Sequence, residues 1–383
     1  MINITTEKVP IKMWLDEIED GAMQQAKNLA NLPFVFKWIA LMPDCHQGYG
    51  MPIGGVLAAY QVVVPNAVGV DIGCGMCAVK TSLKNINSDQ LKKIISLIRA
   101  RIPLGFNHHK HPQQWQGFDN APDIPIIQQE LQSAQYQLGT LGGGNHFIEM
   151  QKGSDGFIWI MLHSGSRNFG LKIATEYHKK AMYYCAQNKY QLTDSNLAYL
   201  PVKTEEAKEY FEAMNFALEF ARESRLKMLE VVKDAVASVC INVSFDETIN
   251  IHHNYAALER HYGHDVIVHR KGATSARKGQ IGIIPGSQGT RSYIVIGKGN
   301  PESFMSCSHG AGRKIGRKEA QRKLDLKHEK KILDDQRIIH SIRTVKDLDE
   351  ASGAYKDIDT VMKNQQDLID ITVSLVPLAV IKG

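Results

Sequence analysis

Apolar positions along the chain repeat with helical spacing in some segments and with strand spacing in others. The clearest helical stripe consists of Phe211, Met214, Leu218 and Ala221, and it predicts a long helix over 204–238. This stripe is typical of a face that packs in the core. Three shorter helices are predicted over 16–32, 88–100 and 169–188.

Capping signals place the starts of two of these shorter helices. Asp16 and Glu19 have capping-box spacing, and Pro33 ends the pattern after Leu32. Ser88 is the predicted cap of the next helix. Between these helices, the apolar runs 34–42, 53–64 and 68–80 predict strands, with Asp71 and Cys74 at the end of the third run or on a bend within it.

The remainder of the chain alternates short apolar segments with glycine turns. Further strands are predicted over 146–151, 157–163, 265–269, 281–284, 292–297 and 303–308. The segment 103–125 has loop composition, and the C-terminal part is expected to be mainly helical. These elements predict an α/β (α+β) protein. We expect one domain over 1–383, because no linker is visible and the candidate ligands extend from residue 71 to residue 309.

Composition excludes several classes of protein. Of the 383 residues, 43% are hydrophobic and 22% are charged, which is ordinary for a globular protein and not typical of a disordered or fibrous chain. No apolar run approaches the ~20 residues of a membrane helix, and the first twenty residues lack the pattern of a signal peptide. We therefore expect a cytoplasmic protein, and the six cysteines are too few and too irregular for a disulfide framework.

Positive charge is concentrated in one segment. Residues 313–331 contain nine Lys and Arg against three acidic residues, whereas the whole chain has a formal net charge of only +5. Such a segment attracts a polyanion. The alternative interpretation is an ordinary solvated helix face.

Five glycine-flanked strings carry the candidate chemistry: VGVDIGCGM, LGGGNHFIE, MLHSGSR, IHHNY and SCSHGAGR. They present a carboxylate, a thiol and several imidazoles, all of which are metal ligands. The backbone can approach a ligand closely at glycine. The combination favours one composite site whose candidate residues are Asp71, Cys74, His146, His163, His252 or His253, and His309.

Each string has a simpler interpretation. Cys74 and Cys77 form a Cys-x-x-Cys pair, but a zinc ribbon needs a second pair and a redox pair should begin a helix. A lone His163 is more often structural. His252 and His253 are adjacent, so only one of them should face a metal if the segment is extended. The turns around His309 and at 283–289 suit an oxyanion, yet each alone could be only a tight turn.

Together the strings closely resemble the RtcB family of RNA ligases, in family order and along nearly the whole chain. The match extends from PIKMW and MPDCHQGYGMPIGG, through the strings above and PGSQG, to AYKDID and the final Lys382-Gly383. The resemblance implies a single large domain with central β-sheets flanked by helices and a metal and GTP site in a central cleft. It also implies a GTP-dependent enzyme with two manganese ions that joins an RNA 3′-phosphate or 2′,3′-cyclic phosphate to a 5′-hydroxyl. Archease is the activating partner that it suggests.

The resemblance also implies a role for individual residues. His309 matches the histidine that becomes guanylylated, and Asp44 matches an acidic position near the metals. The implied metal ligands are Asp71, Cys74, His146, His163 and His253. The implied phosphate contacts are Arg167, Arg313 and Arg317. The implied GTP contacts are Asn145, His146, Phe147, Ile148, Glu149, His253, Asn254, Pro285, Gly286, Ser287, Gln288, Ser292, His309, Gly310, Ala311, Gly312, Tyr355 and Lys382.

Three functions compete at this point. The first is the ligase, and the second is a metal-dependent phosphoesterase that opens cyclic phosphates without joining ends. The third is a non-catalytic RNA-binding protein that uses Arg313–Lys331. The ligand types alone would favour zinc, because manganese prefers oxygen. The expectation of manganese therefore depends on the resemblance. Gln288 departs from the family pattern, which often has methionine at this position, but this difference does not affect the catalytic residues.

Overall fold

Two large β-sheets organise the computed structural model, which describes residues 1–383. The strands, in chain order, are β1 (Ile2–Ile4), β2 (Ile11–Met13), β3 (Val35–Tyr49), β4 (Met51–Ala59), β5 (Val62–Val63), β6 (Gly75–Lys80), β7 (Phe147–Gly153), β8 (Ile158–Ser164), β9 (Leu200–Pro201), β10 (Ile249–His252), β11 (Asn254–His261), β12 (His264–Lys271), β13 (Ala273–Ser275), β14 (Ile281–Ile284), β15 (Ser292–Gly297), β16 (Ser306–Ser308) and β17 (Ile369–Lys382).

Helices cover these sheets. They are α1 (Asp20–Ala30), α2 (Pro65–Val68), α3 (Ser88–Arg101), α4 (Gln116–Asp119), α5 (Pro125–Gln137), α6 (Arg167–Gln187), α7 (Glu205–Val239), α8 (Arg317–Lys323), α9 (Leu326–Asp335) and α10 (Ile358–Lys363). Short 3₁₀ turns occupy Ser195–Leu197, Pro301–Ser303, Val345–Glu350 and Ser352–Ala354. No helix combines the length with the apolar composition that crossing a bilayer requires.

The first sheet has the strand order β1-β2-β3-β4-β12-β11, and the second has the order β10-β6-β8-β7-β17-β15-β14. All pairings within them are antiparallel except β2 with β3. The two sheets meet where β10 of the second sheet ends at His252 and β11 of the first begins at Asn254. Only His253 separates these two strands. A side chain at this seam is therefore held by both sheets.

Four clusters of buried apolar side chains form the core. The largest includes residues of α1, α5, α6 and α7 together with one face of the first sheet. Another lies between the second sheet and the helices α3 and α7. Because both sheets are covered by helices, the fold is mixed α/β with central sheets, and the fold class predicted from the pattern is confirmed.

The long amphipathic helix is predicted most accurately. It occupies Glu205–Val239, and Thr204 caps it by accepting a hydrogen bond from the backbone N–H of Ala207. Met214 and Ala221 are buried on its inner face. The predicted start of α1 is wrong: the helix begins at Asp20, and its N-cap residue Glu19 makes no side-chain capping bond. The capping box of α3 is formed by Asn87 and Gln90, one residue before the predicted Ser88.

The expectation of a mainly helical C-terminal part is only partly confirmed. Helices α8, α9 and α10 are present, but the last long element is the strand β17. It inserts between β7 and β15 in the second sheet, and Lys382 pairs with Phe147. The β-branched residues of this segment favour a strand, and the insertion carries the C-terminal lysine to the candidate site. Helix α5 was not predicted at all.

Candidate functional site

The five predicted metal ligands meet at the seam between the two sheets. Asp71 and Cys74 lie in the turn that leads into β6, and His146 lies in the glycine-rich loop just before β7. His163 belongs to β8, where it pairs with Met76 of β6. His253 occupies the single position between β10 and β11. Adjacent strands of one sheet thus bring together residues that are far apart in sequence.

Their ligand atoms form two overlapping groups. Cys74, His163 and His253 form one group, and Asp71, Cys74 and His146 form the other, with ligand atoms in each lying within 4.8 Å of one another. The Cys74 sulfur lies 3.2 Å from Nε2 of His163 and 3.5 Å from Nε2 of His146. Cys74 is common to both groups, so its thiolate can bridge two cations.

These spacings match the geometry of coordination. Ligand atoms at about 2.0–2.3 Å from one ion in tetrahedral arrangement lie roughly 3.3–3.8 Å from each other. The observed separations include 3.4 Å between Nε2 of His163 and Nε2 of His253, and 3.3 Å between Nε2 of His146 and a carboxylate oxygen of Asp71. Two imidazole nitrogens this close share one proton at most. A cation satisfies the lone pairs of all these atoms at once, so the residues fit a metal.

Burial sets the protonation states of these ligands. It lowers the pKa of His163 and of His253 well below the ordinary value, which keeps both imidazoles neutral and able to coordinate. The Nδ1–H of His163 donates to the backbone oxygen of Asn145 at 3.1 Å, leaving Nε2 for a metal. Burial also raises the pKa of the Cys74 thiol, so a bound cation is needed to hold it as thiolate.

The long helix α6 positions Asp71. Ser166, the residue that precedes this helix, donates its backbone N–H to a carboxylate oxygen of Asp71 at 3.1 Å. Burial alone would raise the pKa of Asp71, but hydrogen bonding and charge from His146 lower it. The positive end of the helix dipole adds to this effect. Asp71 is therefore ionised at neutral pH.

One buried guanidinium connects three of the strings. Arg225 of α7 is fully buried and donates to the backbone oxygen of Gly73 and to that of Ser164, each at 2.9 Å. It also donates to Nδ1 of His252 at 3.1 Å. These three acceptors are the immediate chain neighbours of Cys74, His163 and His253. Arg225 therefore fixes the relative positions of three candidate ligands and belongs to neither metal-binding group itself.

We expect Arg225→Lys to weaken metal binding by about 10–100-fold, the range typical of losing an outer-sphere partner. Lysine keeps the charge but cannot donate from a planar fork to several acceptors at once. The measurement is Mn²⁺ or Co²⁺ affinity by calorimetry, with the melting temperature of the metal-free protein recorded in parallel.

Arg222→Lys is the matched control, because Arg222 lies one turn earlier on α7 and is exposed. A purely structural role for Arg225 would lower the melting temperature and leave the affinity unchanged. That outcome would exclude it as a positioning residue.

The remaining histidine of the set, His309, follows β16 and lies beside the metal ligands. Its ring centroid is 4.8 Å from that of His253. One oxygen of Asp44 accepts from Nδ1 of His309 at 2.6 Å and from the backbone N–H of His309 at 3.1 Å. With Nδ1–H held by the carboxylate, Nε2 keeps its lone pair and can act as a nucleophile.

Asp44 has a more specific position than expected. The resemblance implied only an acidic residue near the metals, whereas the carboxylate contacts His309 and belongs to neither metal-binding group. Burial alone would raise the pKa of Asp44, but the charge and the hydrogen bond of His309 lower it by more, so the net shift of the pKa is downward. Asp44 is thus an ionised group that orients His309.

A cavity of about 1040 Å³ opens in front of His309. Asp71, Cys74, His163, His253 and His309 contribute to its wall. So do most of the predicted GTP contacts: Asn145, Phe147, Glu149, Asn254, Pro285, Gly286, Ser287, Gln288, Gly310, Ala311, Gly312, Tyr355 and Lys382. The cavity is large enough for a nucleotide and a part of a second substrate.

Some predicted contacts lie elsewhere. The side chain of Ile148 packs in the core on the opposite face of β7, because successive residues of a strand face opposite sides. Ser292 is buried behind the cavity wall, where its hydroxyl accepts from Gln151 and from the backbone N–H of Gly286. Arg167 donates to Thr140 and to the backbone oxygen of Gly105, beneath the glycine-rich loop.

Sequence analysis missed Glu350, which is central to one end of the cavity. Arg313 and Arg317 donate to the same oxygen of this carboxylate, at 3.2 and 3.1 Å. Tyr355 donates to the other oxygen, and Lys382 lies 3.6 Å from it. Burial raises the pKa of Glu350, but Lys382 and Arg317 lower it more. The signal in the sequence that could have pointed to Glu350 is the acidic pair Asp349-Glu350, which lies shortly before the AYKDID string.

Glu149 differs from Glu350 in charge, although both line the same cavity. Burial raises the pKa of Glu149 to about 8, an effect that Gln151 and Lys382 only partly offset. Glu149 is therefore protonated at pH 7 in this structure, and its carboxyl can both donate and accept a hydrogen bond.

The basic segment 313–331 divides into two parts. Arg313, Lys314, Arg317, Lys318 and Arg322 line the cavity. Lys323 and Lys331 instead form exposed ion pairs within their own helices, with Glu319 and Asp335. Only the first part is an element of the cavity, whereas the second resembles the ordinary solvated face.

The structure also shows where the second cysteine of the Cys-x-x-Cys pair lies. Cys77 is buried among apolar side chains of the second sheet and α7, and it belongs to neither metal-binding group. All six cysteines are buried and free. His252 points away from the ligands toward Arg225. Of the two adjacent histidines, His253 faces the cluster.

Fold and site together define a mixed α/β protein with buried Asp, Cys and His groups that can hold a metal. Comparison of the sequence with known families identifies which one: the family model described as "tRNA-splicing ligase RtcB" matches residues 25–383. The chain belongs to the RtcB family.

Individual relatives support the same assignment over the full length. The RNA-splicing ligase RtcB of Escherichia coli strain K12 is 39% identical over 410 residues, covering 99% of this chain and 99% of the relative. The tRNA-splicing ligases RtcB of Pyrobaculum aerophilum and Thermococcus kodakarensis are each 30% identical and cover 98% of this chain and 95% of their own.

Proposed function

We propose that this protein is an RNA ligase that uses GTP and two manganese ions. It joins an RNA 3′-phosphate, or a 2′,3′-cyclic phosphate after its opening, to a 5′-hydroxyl. The observation that carries the proposal is the position of His309. Its ring lies beside that of His253, a member of one of the two overlapping groups of metal ligands, is oriented by Asp44, and lines the cavity.

The chemistry needs such a histidine. A hydroxyl cannot displace an oxygen of a phosphate monoester directly, because the leaving group would be too basic. In the proposed first step, Nε2 of His309 attacks the α-phosphorus of GTP, forms a P–N bond and expels pyrophosphate. Asp44 stabilises the positive charge that develops on the imidazole.

Two transfers complete the reaction. An oxygen of the RNA 3′-phosphate attacks the GMP phosphorus and releases His309, which gives RNA-3′-pp-5′-G. The 5′-hydroxyl of the second strand then attacks the RNA phosphorus, forms the phosphodiester and expels GMP. Asp71, Cys74, His146, His163 and His253 would hold the manganese. Bound manganese would neutralise phosphate charge and lower the pKa of the attacking hydroxyl.

The cavity wall supports nucleotide binding at one end. We assign the base to the part formed by Phe147, Glu149, Tyr355 and Lys382, which all line the cavity. The phosphates would lie along the backbone of Pro285–Gln288 and His309–Gly312, where glycine allows close approach. Arg313 and Arg317 line the same cavity and would add positive charge for the nucleotide, and both pair with Glu350.

The test is ligation of a defined broken RNA with 2′,3′-cyclic phosphate and 5′-hydroxyl ends, in which nucleotide and metal are varied independently. Joining should require GTP and Mn²⁺ together. Opening of the cyclic phosphate without joining would instead indicate a phosphoesterase. Binding with no change at either end would indicate a non-catalytic RNA-binding protein. A requirement for archease, which the family resemblance suggests, is tested by adding it to the same assay.

A further inference from the structure

The hairpin formed by β3 and β4 makes a continuous wall from His309 to the mouth of the cavity. Asp44 of β3 holds the His309 ring, and His46 pairs across the hairpin with Ile53 of β4. A Cβ atom at Gly272 would lie 3.1 Å from the His309 ring and would overlap Ile53, so Gly272 lies between these two side chains. At the other end of this wall, the tip of the hairpin presents Tyr49.

Tyr49 combines an exposed ring with a fixed backbone. The side chain lines the cavity and is 71% exposed. Its backbone oxygen accepts from the buried ammonium of Lys271. The preceding Gly48 exchanges two hydrogen bonds with Gln25, at 2.7 and 3.1 Å. An exposed aromatic ring on a firmly held backbone, inside a cavity proposed to bind nucleotides, is available for a base to stack on.

The distance from His309 suits one nucleotide. Ile53 and the His309 ring both lie against Gly272, and Met51, which pairs with Tyr49, is two residues before Ile53 on β4. Two residues of strand span about 7 Å. A strand end whose phosphate lies at His309 can therefore place its terminal base on Tyr49. Lys318 and Arg322 of α8 line the same cavity and supply positive charge for the backbone of that strand.

We propose that Tyr49 is a stacking platform for the terminal nucleobase of one of the two RNA strands. This inference extends the proposed function, because it assigns to RNA the part of the cavity that GTP would leave free. Stacking on an aromatic ring is independent of base identity, so the platform suits an enzyme that accepts RNA ends of different sequence.

The direct test is fluorescence of single-stranded RNA with 2-aminopurine as its terminal base, since stacking quenches this probe. One oligonucleotide carries it at a 3′-phosphate end and the other at a 5′-hydroxyl end, so the end that responds identifies the strand. Tyr49→Phe should keep the quenching. Tyr49→Ala should lose it and weaken RNA binding by roughly 5–150-fold, as expected for one stacked base. Tyr183→Ala is the matched control, because Tyr183 is 66% exposed but lies on α6 outside this cavity.

The kinetic test separates stacking from misfolding and from failure of the ligase proposal. Tyr49→Ala should raise the KM for RNA and still form the GMP adduct from GTP. Equal losses in Tyr49→Phe and Tyr49→Ala, or quenching that survives in Tyr49→Ala, would overturn the platform. An absent GMP adduct in the unmodified protein would instead contradict the proposed function, while the fluorescence result would still decide whether Tyr49 binds a base.

Discussion

His309→Ala is expected to abolish the covalent attachment of GMP to the protein and, with it, all joining of RNA ends. The alanine side chain has no nitrogen that can attack phosphorus. The neighbouring histidines do not replace it, because Nε2 of both His163 and His253 belongs to a metal-binding group. The measurement is transfer of label from α-³²P-GTP to the protein in the presence of Mn²⁺, read on a denaturing gel and by mass spectrometry.

Asp44→Asn tests the orientation of the same ring. An amide of similar size can donate to Nδ1 and so move the imidazole proton to Nε2, which removes the nucleophilic lone pair. We expect labelling to slow by about 10²–10⁴-fold, by analogy with other histidines held by a buried carboxylate. His111→Ala is the control, because His111 is exposed in a loop.

Full labelling of His309→Ala would show that the nucleophile is another residue.

Cys74→Ala is expected to remove both metal ions, because this sulfur is common to the two groups of ligand atoms. The loss of affinity should exceed the roughly 10–100-fold that follows from removing an outer-sphere partner. Without a cation, the metal ligands repel one another or stay protonated. Mn²⁺ should therefore raise the thermal stability of the unmodified protein and should not raise that of the variant. Metal content and the melting temperature with and without Mn²⁺ measure the effect.

Cys77→Ala provides a matched control for this prediction. Cys77 lies three residues further on and is buried in apolar surroundings. Its replacement should lower stability modestly by leaving a small cavity and should leave metal content unchanged. Retention of two ions with ordinary affinity by Cys74→Ala would mean that Cys74 is not a bridging ligand.

Local pattern was sufficient for the elements that depend on local chemistry. The stripe in 204–238 predicted α7 because one face of a helix must be apolar when it packs on a core. The same approach failed at the C-terminus, where β17 is stabilised by pairing with β7 and β15. Those partners are more than 70 residues away, and no local window contains them.

The site was identifiable only in part for the same reason. The glycine-flanked strings named the metal ligands and His309, but Arg225 and Glu350 have no comparable local signal. Arg225 lies in an ordinary helical repeat, and its importance comes from two backbone oxygens and one imidazole nitrogen of other elements. Glu350 acquires its role from four side chains that converge on it.

By itself, the sequence determined the family, the ligand types and the long helix, since these depend on residue identity and on periodicity along the chain. Through the resemblance, the sequence also implied His253 and Lys382 as site residues. The tertiary structure decided that His252 turns toward Arg225, that Asp44 holds His309, and that four side chains converge on Glu350. The physical reason is that side-chain direction at a seam between two sheets is set by pairing between distant strands, which no local pattern records.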